Sequence, residues 1–306
     1  MLYLHGYVFM EDDVSWKEGK RMQVKEYNEA GLFLKDYEEH LRKKEAVSQL
    51  LLYPAYNSLS PVEKGREIYG AVLQEQEPVL LFCNKFGHSL ILLSLRQEDS
   101  TVAAVTLADF FSSNHIQITG ITGLQELCQS FIDQYMMLVQ CNFLQIQETE
   151  IMEIRQVNEL KPASGQQRLA DTSEAKLAAD WMLRFWMEAK MSELDYEAAL
   201  VKASKLVEEK KLYLYENEEG EAVSMAAICK KLLSGIMITY IYTPEEHRGK
   251  GYAASNIYYL SKFLLGQGYD FCTLLSDKKN PILNRAYEKV GYHTLEDVYE
   301  YILLQP

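Results

Sequence analysis

The 306-residue sequence lacks the patterns that mark metal sites, disulfide frameworks and membrane spans. Its 5 cysteines are odd in number, form no Cys-x-x-Cys pair and mostly lie in apolar runs, which favours buried thiols. The 6 histidines show no His-x-x-x-His spacing. No apolar run approaches the roughly 18 residues of a membrane helix. We therefore expect no metal, no disulfide framework and no membrane partner.

An excess of basic residues is also absent. The formal net charge of −13 and the pI near 5.0 disfavour binding to nucleic acids, which rests on basic patches. The same charge favours a cationic partner such as an amine. Met1–Met10 is apolar, but it has no basic flank and Glu11-Asp12-Asp13 follows it, unlike a signal peptide. These features predict a cytoplasmic protein.

What the sequence does contain is a glycine-rich step between a predicted strand and a predicted helix. The β-branched and aromatic run Ile236–Thr243, bounded by Gly235 and Pro244, predicts a strand. Apolar residues then recur at helical spacing as far as Gly268, where the helix is expected to stop. The predicted order is therefore strand, glycine-rich loop, helix.

The loop of this step is suited to binding an anion. A helix start has unpaired N–H groups and partial positive charge, and glycines let the backbone approach a phosphate closely. Arg248 and Lys250 add positive charge. The alternative is an ordinary strand-to-helix turn. A Walker loop is excluded, because Pro244 replaces its first glycine and Gly251 follows the lysine.

A dinucleotide-binding fingerprint matches the same loop on paper. Gly249, Gly251 and Ala254 fit G-x-G-x-x-A, and Asp270 lies about twenty residues on. That acid, however, precedes an apolar run instead of ending a second strand, and the strands upstream resemble an antiparallel meander. We therefore reject this interpretation.

Two ordered segments resemble a known family. Arg248–Ala253 matches Arg/Gln-x-x-Gly-x-Gly/Ala, the signature of the GNAT acyltransferases, and lies between a strand and a helix as it does there. Asn280–Tyr292 ends in Tyr-x-Lys-x-Gly-Tyr, similar to that family's second conserved segment. The resemblance covers roughly the C-terminal half. It implies an α/β fold, with a mixed central sheet flanked by helices and a catalytic GNAT domain over residues 151–306.

The N-terminal half, residues 1–150, echoes the same order of elements. Thr101–Leu107 is predicted as its third strand, and the following Ala108–Ser113 contains no glycine and places Asp109 beside any phosphate. We interpret this half as a degenerate GNAT-like domain without a cofactor; an unrelated α+β domain is the alternative.

Other predictions here are a helix broken at Pro54, a helix over Pro61–Gln76, a strand over Ile116–Thr119, and separate strands over Asn142–Gln147 and Glu150–Val157.

The resemblance implies acetyl-CoA as cofactor. Its pantetheine arm would pair with the central strand as an added strand does, and the glycine-rich loop would hold its pyrophosphate. Asn280 is also a good helix N-cap before a proline, and Asn284 fits an ordinary surface position. The implied cofactor-binding residues are Ile241, Tyr242, Thr243, Arg248, Gly249, Lys250, Gly251, Tyr252, Ala253, Asn280 and Asn284.

The chemistry implied by the resemblance rests on a tyrosine. Tyr287 occupies the family's position for the general acid that protonates the departing thiolate; the alternative is a core tyrosine. Tyr240 is a candidate proton relay. No general base is identified, because the strand Ile236–Thr243 contains no carboxylate. Trp181 is a predicted core residue, and a role at the acceptor site for Trp181 or Trp186 is the alternative.

We therefore expect an acetyl-CoA-dependent N-acyltransferase that acts on a small-molecule or peptide amine. Its partners would include neither nucleic acid nor membrane. Two rivals are a CoA-binding regulatory module without turnover and a structural protein that uses its halves for packing. The sequence does not identify the acceptor or the oligomeric state.

Overall fold

The computed structural model describes residues 22–59, 67–85, 87–189 and 195–304. The segment Met1–Met10 and the first part of the predicted helix Pro61–Gln76 lie outside the described residues. Within the described part, none of the helices combines the length and apolar character needed to cross a membrane.

The two halves of the described chain repeat one order of elements. The first half consists of β1 Met22–Tyr27, α1 Ala30–Arg42, α2 Glu45–Asn57, β2 Glu67–Gln74, β3 Glu77–Lys85, β4 Leu90–Ser94, α3 Ser100–Ser113, β5 Gly120–Gly123, α4 Gln125–Leu138 and β6 Asn142–Ile154. The second consists of β7 Gln166–Leu169, α5 Ala175–Glu188, α6 Tyr196–Glu208, β8 Leu212–Glu216, β9 Ala222–Lys231, β10 Ile236–Tyr242, α7 Tyr252–Gly266, β11 Cys272–Asp277, α8 Pro281–Val290 and β12 His293–Leu304.

The strands form one 12-stranded mixed sheet in the order β1-β2-β3-β4-β5-β12-β6-β11-β10-β9-β8-β7. The halves exchange their last strands at its centre: β6 pairs antiparallel with β11, and β12 pairs antiparallel with β5 and β6. Residue 150, the predicted domain boundary, lies inside β6. Because each half completes the other's sheet, we expect the halves to fold as a coupled pair.

Each half packs one helix pair on each face of the sheet. Successive side chains on β6 alternate between faces, so Glu148 and Met152 share a face. Tyr299, in the core under α3 and α4, pairs with Glu148, and Leu274, in the core under α7 and α8, pairs with Met152. These four helices therefore lie on one face. The pairs α1–α2 and α5–α6 cover the other face.

The predicted strand Thr101–Leu107 is wrong, since these residues belong to α3. Its β-branched residues suggested a strand, but Ala103, Ala104 and Leu107 are buried at helical spacing while Val102 is 52% exposed. Burial of this helical stripe overrides the local preference of valine and threonine for strands.

The helix predicted over Pro61–Gln76 is also wrong in its described part, which is β2. This strand lies between β1 and β3 and is buried on both faces, so it shows no alternation of polar and apolar residues. Gly70 supports the close packing there, because a Cβ would lie 2.3 Å from Cζ of Phe82. Continuous apolar runs of this length do not distinguish strand from helix.

Smaller differences concern the ends and continuity of elements. The helix α2 continues through Pro54 to Asn57 instead of breaking at the proline. The strand predicted at Ile116–Thr119 begins later, at Gly120. The two strands predicted over Asn142–Gln147 and Glu150–Val157 are the single strand β6, which ends at Ile154. Its pairing with β12 continues across two register shifts, one with the extra residue on β12 and one with it on β6.

Candidate active site

The strands β10 and β11 diverge after a short parallel contact. Only Ile236 with Cys272 and Met237 with Thr273 are paired between them. Beyond this point β10 contains an irregularity at Tyr240, whose φ of 50° is left-handed, and its register with β9 shifts there. Such a bulge bends a strand and interrupts its pairing. The sheet therefore has an opening at the C-terminal end of β10, where an extended ligand can pair with backbone groups.

The glycine-rich loop lies directly after this opening. Gly249 and Gly251 have φ values of 78° and 86°, which L side chains rarely adopt, and Gly251 is the N-cap of α7. Across the described residues, no oxygen accepts a hydrogen bond from the backbone N–H groups of residues 249–254. A Cβ at Gly249 would meet nothing within 4 Å, and one at Gly251 would meet only Cβ of Ala163, at 3.8 Å. The loop is an open set of N–H donors at a helix start, which suits a phosphate group.

The charges on the loop have different roles. Nη2 of Arg248 donates to both carboxylate oxygens of Glu188 at 2.7 Å, and its Nε donates to the carbonyl of Thr243 at 2.9 Å. The guanidinium also lies over the ring of Tyr242, 5.6 Å from its centroid. Arg248 therefore fastens the loop to β10 and α5. Lys250 is exposed and forms no ion pair within the described part of the chain, so its charge is available to a ligand.

The end of β10 presents side chains to both faces of the sheet. Ile241 packs in the core under α7 and α8, whereas Tyr242 packs under α5 and α6 and donates to Glu188 at 3.2 Å. Thr243 follows, and its hydroxyl is buried without a partner within the described ranges. Because buried polar atoms are normally paired, this hydroxyl is available to a ligand in the opening.

Tyr287 lies on α8 and is 2% exposed. Its ring packs at 6.1 Å, centroid to centroid, from that of Tyr292 and against the apolar core that includes Ile238 and Ile257. No residue in the described ranges forms a hydrogen bond with its hydroxyl. Burial raises the pKa of Tyr287 well above its ordinary value, so the phenol stays protonated. A phenol without a protein partner leaves its proton free for a ligand.

The second predicted catalytic tyrosine lies on the opposite face. Tyr240 is 5% exposed and packs in the core of α5 and α6, with its ring 5.7 Å from that of Phe185. Nζ of Lys202 lies 5.2 Å from the centroid of the Tyr240 ring. The fold therefore does not bring Tyr240 and Tyr287 into one cluster, and they flank the sheet from its two sides.

The two asparagines of the second conserved segment occupy different settings. Asn280 is exposed and caps α8, where its Oδ1 accepts from the N–H of Leu283 at 3.2 Å. Asn284 is 8% exposed; its Nδ2 donates to Glu150 at 2.9 Å, and its Oδ1 accepts from Ser276. The Asn284 amide thus ties α8 to β6 and β11, and its predicted contact with a cofactor stays a prediction.

Glu188 is a site residue that was not predicted from the sequence, and it accepts hydrogen bonds from both Tyr242 and Arg248. Glu188 ends α5 and is 60 residues from Arg248, so only the packing of α5 on β10 brings them together. No local spacing marks this contact. A signal was present only in the arginine itself, since a charged residue beside a buried strand usually has a partner.

The corresponding step of the N-terminal half runs from Leu95 to Asp99, between β4 and α3. The predicted step Ala108–Ser113 is wrong, because those residues lie within α3. The observed step contains no glycine, and its Arg96 donates to Oε1 of Gln74 at 2.6 Å. Asp109, placed by the prediction beside a phosphate, instead accepts from Nε2 of Gln134 on α4 at 2.6 Å.

Comparison with known proteins agrees with this geometry. Residues 176–292 match the model of the Acetyltransferase (GNAT) family. A search of curated protein sequences found no significant match. This part of the chain is therefore similar to GNAT acetyltransferases, which supports acyl transfer in general.

Solved structures extend the likeness to both halves. A Drosophila protein has a TM-score of 0.58 at 13% identity, covering 92% of this chain and 98% of its own. A GCN5-related N-acetyltransferase from Sphaerobacter thermophilus has a TM-score of 0.55 at 12% identity, covering 92% and 95%. A GNAT-family acetyltransferase from Colwellia psychrerythraea has a TM-score of 0.51 at 12% identity, covering 92% and 100%. At these identities the likeness shows the fold, which is a mixed sheet with two GNAT-like halves.

Proposed function

We propose that this chain is an acetyl-CoA-dependent N-acyltransferase that moves an acetyl group to an amine. The amine nitrogen attacks the thioester carbonyl, a C–N bond forms, and the C–S bond breaks. The nitrogen loses one proton, and the departing thiolate receives one. The observation that carries the proposal is that the loop donors, the opening beside β10 and an unpartnered phenol all occur in one half.

The chain's residues fit a CoA molecule at three points. The backbone N–H groups of residues 249–254 and the ammonium of Lys250 suit its pyrophosphate. The free edge of β10 at Ile241–Thr243 suits the amide groups of its arm, and the unpaired hydroxyl of Thr243 adds a further polar contact. Arg248 acts as a positioning residue, because Glu188 and the Thr243 carbonyl hold its guanidinium.

We assign Tyr287 as the general acid. Its phenol stays protonated because burial raises its pKa, and it has no partner among the described residues that would compete for the proton. A thiolate that forms in the same apolar surroundings has little solvation, so a nearby O–H donor stabilises it strongly. Tyr240 lies on the other face and is proposed only as a relay for the amine's proton.

We also propose that the protein works in the cytoplasm on a small-molecule or peptide amine. All five cysteines lie in the described part of the chain and are free, as expected for a reducing compartment. The charge of −13 remains consistent with a cationic amine as acceptor.

A screen of amines with acetyl-CoA tests the function directly. Release of free thiol should depend on both protein and amine, and mass spectrometry should find the acetylated amine. If the protein binds CoA but no amine in a broad panel releases thiol, the regulatory module without turnover is the better description. If it does not bind CoA, the assignment of the loop is also wrong.

A further inference from the structure

Two lysines lie on the α5–α6 face of the sheet beside the opening. Nζ of Lys202, on α6, is 5.2 Å from the ring centroid of Tyr240 and 5.9 Å from that of Trp186. Nζ of Lys230, on β9, is 3.7 Å from the ring centroid of Tyr53, on α2. Aromatic faces attract ammonium groups in this distance range. The rings therefore hold both cations in place.

Neither ammonium forms an ion pair with a carboxylate of the described residues. Their neighbours do: Lys205 is 3.9 Å and Lys211 is 2.6 Å from Glu209. The chain has 44 acidic and 31 basic residues, so carboxylates are plentiful. Lys231 and Lys262 also lie on tyrosine rings without an ion pair to a described carboxylate. Lys202 and Lys230 differ from them in lying beside β10, next to the opening.

The two lysines flank the part of β10 that faces the opening. Lys230 pairs with Met237, the last residue of β10 that contacts β11, and Lys202 lies over Tyr240 at the bulge. Burial raises the pKa of the Cys229 thiol, while the charges of Lys230, Lys202 and Lys211 all act to lower it. Both ammonium groups therefore lie near one side chain.

This surface is accessible between the two helix pairs. Leu275, on β11 just past its last contact with β10, is 40% exposed, and Tyr53 is 42% exposed. The glycine-rich loop begins α7, which packs on the opposite face together with Tyr287. A cofactor held by that loop leaves the α5–α6 face for the acceptor. We call this surface, lined by Lys202, Lys230, Tyr240, Tyr53 and Leu275, the acceptor face.

We propose that the acceptor face binds a carboxylate of the acceptor through Lys202 and Lys230, so that the substrate is an amine that also carries a carboxylate. This inference rests on the proposed N-acyltransferase function. Charge-assisted hydrogen bonds from the two ammonium groups would fix the carboxylate and direct the amine toward the opening. Burial lowers the pKa of Lys230, and a bound anion would offset that cost of burying its charge.

The test compares acceptors in matched pairs. The twenty amino acids and their primary amides are assayed by thiol release from acetyl-CoA with wild type, Lys202→Met and Lys230→Met. Lys205→Met and Lys231→Met are controls: Lys205 is on the same helix but paired with Glu209, and Lys231 lies near Tyr269, 5.8 Å from its ring centroid. Methionine keeps the length and apolar stem while removing the charge.

We expect kcat/KM to favour the carboxylate over the amide by roughly tenfold or more in wild type, as one desolvated charge pair can supply. The preference should collapse in Lys202→Met and Lys230→Met, mainly through KM for carboxylate acceptors, and persist in both controls. Equal use of acids and amides by wild type would overturn the proposal.

A binding measurement separates this inference from the proposed function. If no acceptor releases thiol, the function fails, and the acceptor face is tested by calorimetry with N-acetylamino acids against their amides. Binding of the acids that is lost in Lys202→Met and Lys230→Met supports the carboxylate site. Binding no tighter than that of the amides overturns it.

Discussion

In each half, the residue directly before the helix that follows the third strand of the meander has a left-handed φ. The residue type at this position differs between the halves. Asp99 has a φ of 63° and precedes α3, whereas Gly251 has a φ of 86° and precedes α7. A glycine there leaves the helix start open, while an aspartate puts a carboxylate beside the N–H groups that would hold a phosphate. The order of elements is repeated, but we propose that the anion site is complete in one half only.

The opening in the sheet does not distinguish the halves. The strands β4 and β5 are also parallel and paired only at Leu90 with Ile121 and Ile91 with Thr122, as short a contact as that of β10 and β11. The difference therefore lies in the loop. The backbone therefore provides an opening in both halves, and a few loop residues decide whether an anion can bind beside it.

The largest expected effect follows from giving the C-terminal loop the residue of the other half. Gly251→Asp should abolish measurable CoA binding, because a carboxylate enters the pyrophosphate space and the left-handed φ disfavours any Cβ. Calorimetric titration with CoA measures the loss, and circular dichroism checks the fold.

Gly220→Asp is the matched control, since Gly220 has a φ of 79° and open space around its Cα but lies between β8 and β9. It should cost about 1 kcal/mol or less of backbone strain, as Gly251→Asp does, and leave CoA affinity unchanged. If a folded Gly251→Asp protein bound CoA with wild-type affinity, the loop would not be part of the CoA site.

The next largest effect concerns Tyr287. Tyr287→Phe keeps the ring and removes the proton donor, so kcat should fall by roughly 10²–10⁴-fold, the range of general acid catalysis. CoA affinity should change little, because the loop and the strand edge supply most of the binding. Steady-state kinetics with the best acceptor separates the two effects.

Tyr292→Phe controls for packing, because its hydroxyl lies 2.8 Å from that of Ser261 in the same core. It should cost about 1 kcal/mol of stability and leave kcat unchanged. A kcat of Tyr287→Phe within about twofold of wild type is far below the general-acid range. It would show that Tyr287 is only a core residue.

The pH profile gives a second view of the same residue. Burial raises the pKa of Tyr287 above its ordinary 10.0, so the phenol keeps its proton at every pH below that value. We therefore expect kcat to show no loss up to about pH 10 that depends on Tyr287, the ordinary tyrosine value. A basic limb below pH 10 that disappears in Tyr287→Phe would contradict this protonation state.

The loop and the second conserved segment were predictable because their residues are contiguous and their backbone demands are specific. Gly249 and Gly251 have the left-handed φ values that only glycine adopts easily. The partner of Arg248 was not predictable, because Glu188 reaches it only through tertiary packing. The same holds for the exchange of β6 and β12, since a strand's own residues do not specify which half it joins.

The N-terminal half was less predictable for a different reason. The step to α3 was expected after Leu107 but occurs before Ser100, because the apolar run of α3 contains β-branched residues that resemble a strand. In the C-terminal half, glycines separate strand from helix. In the N-terminal half the loop residues Arg96–Asp99 carry no such signal, so the sequence predicts a strand where the structure has the helix α3.

The smallest effect is the reciprocal substitution. Asp99→Gly should relieve the left-handed strain and change stability by about 1 kcal/mol or less, because aspartate tolerates this conformation better than most residues. It should not create a CoA site, because residues 95–98 still lack glycine. A gain of CoA binding at the N-terminal half would show that Asp99 alone prevents that half from binding CoA.

The central claim is that only the C-terminal half binds the cofactor, and calorimetric titration of the full chain with acetyl-CoA tests it most directly. The account predicts one site per chain, which Gly251→Asp removes entirely. Two sites per chain, or one site that persists in Gly251→Asp, would contradict it.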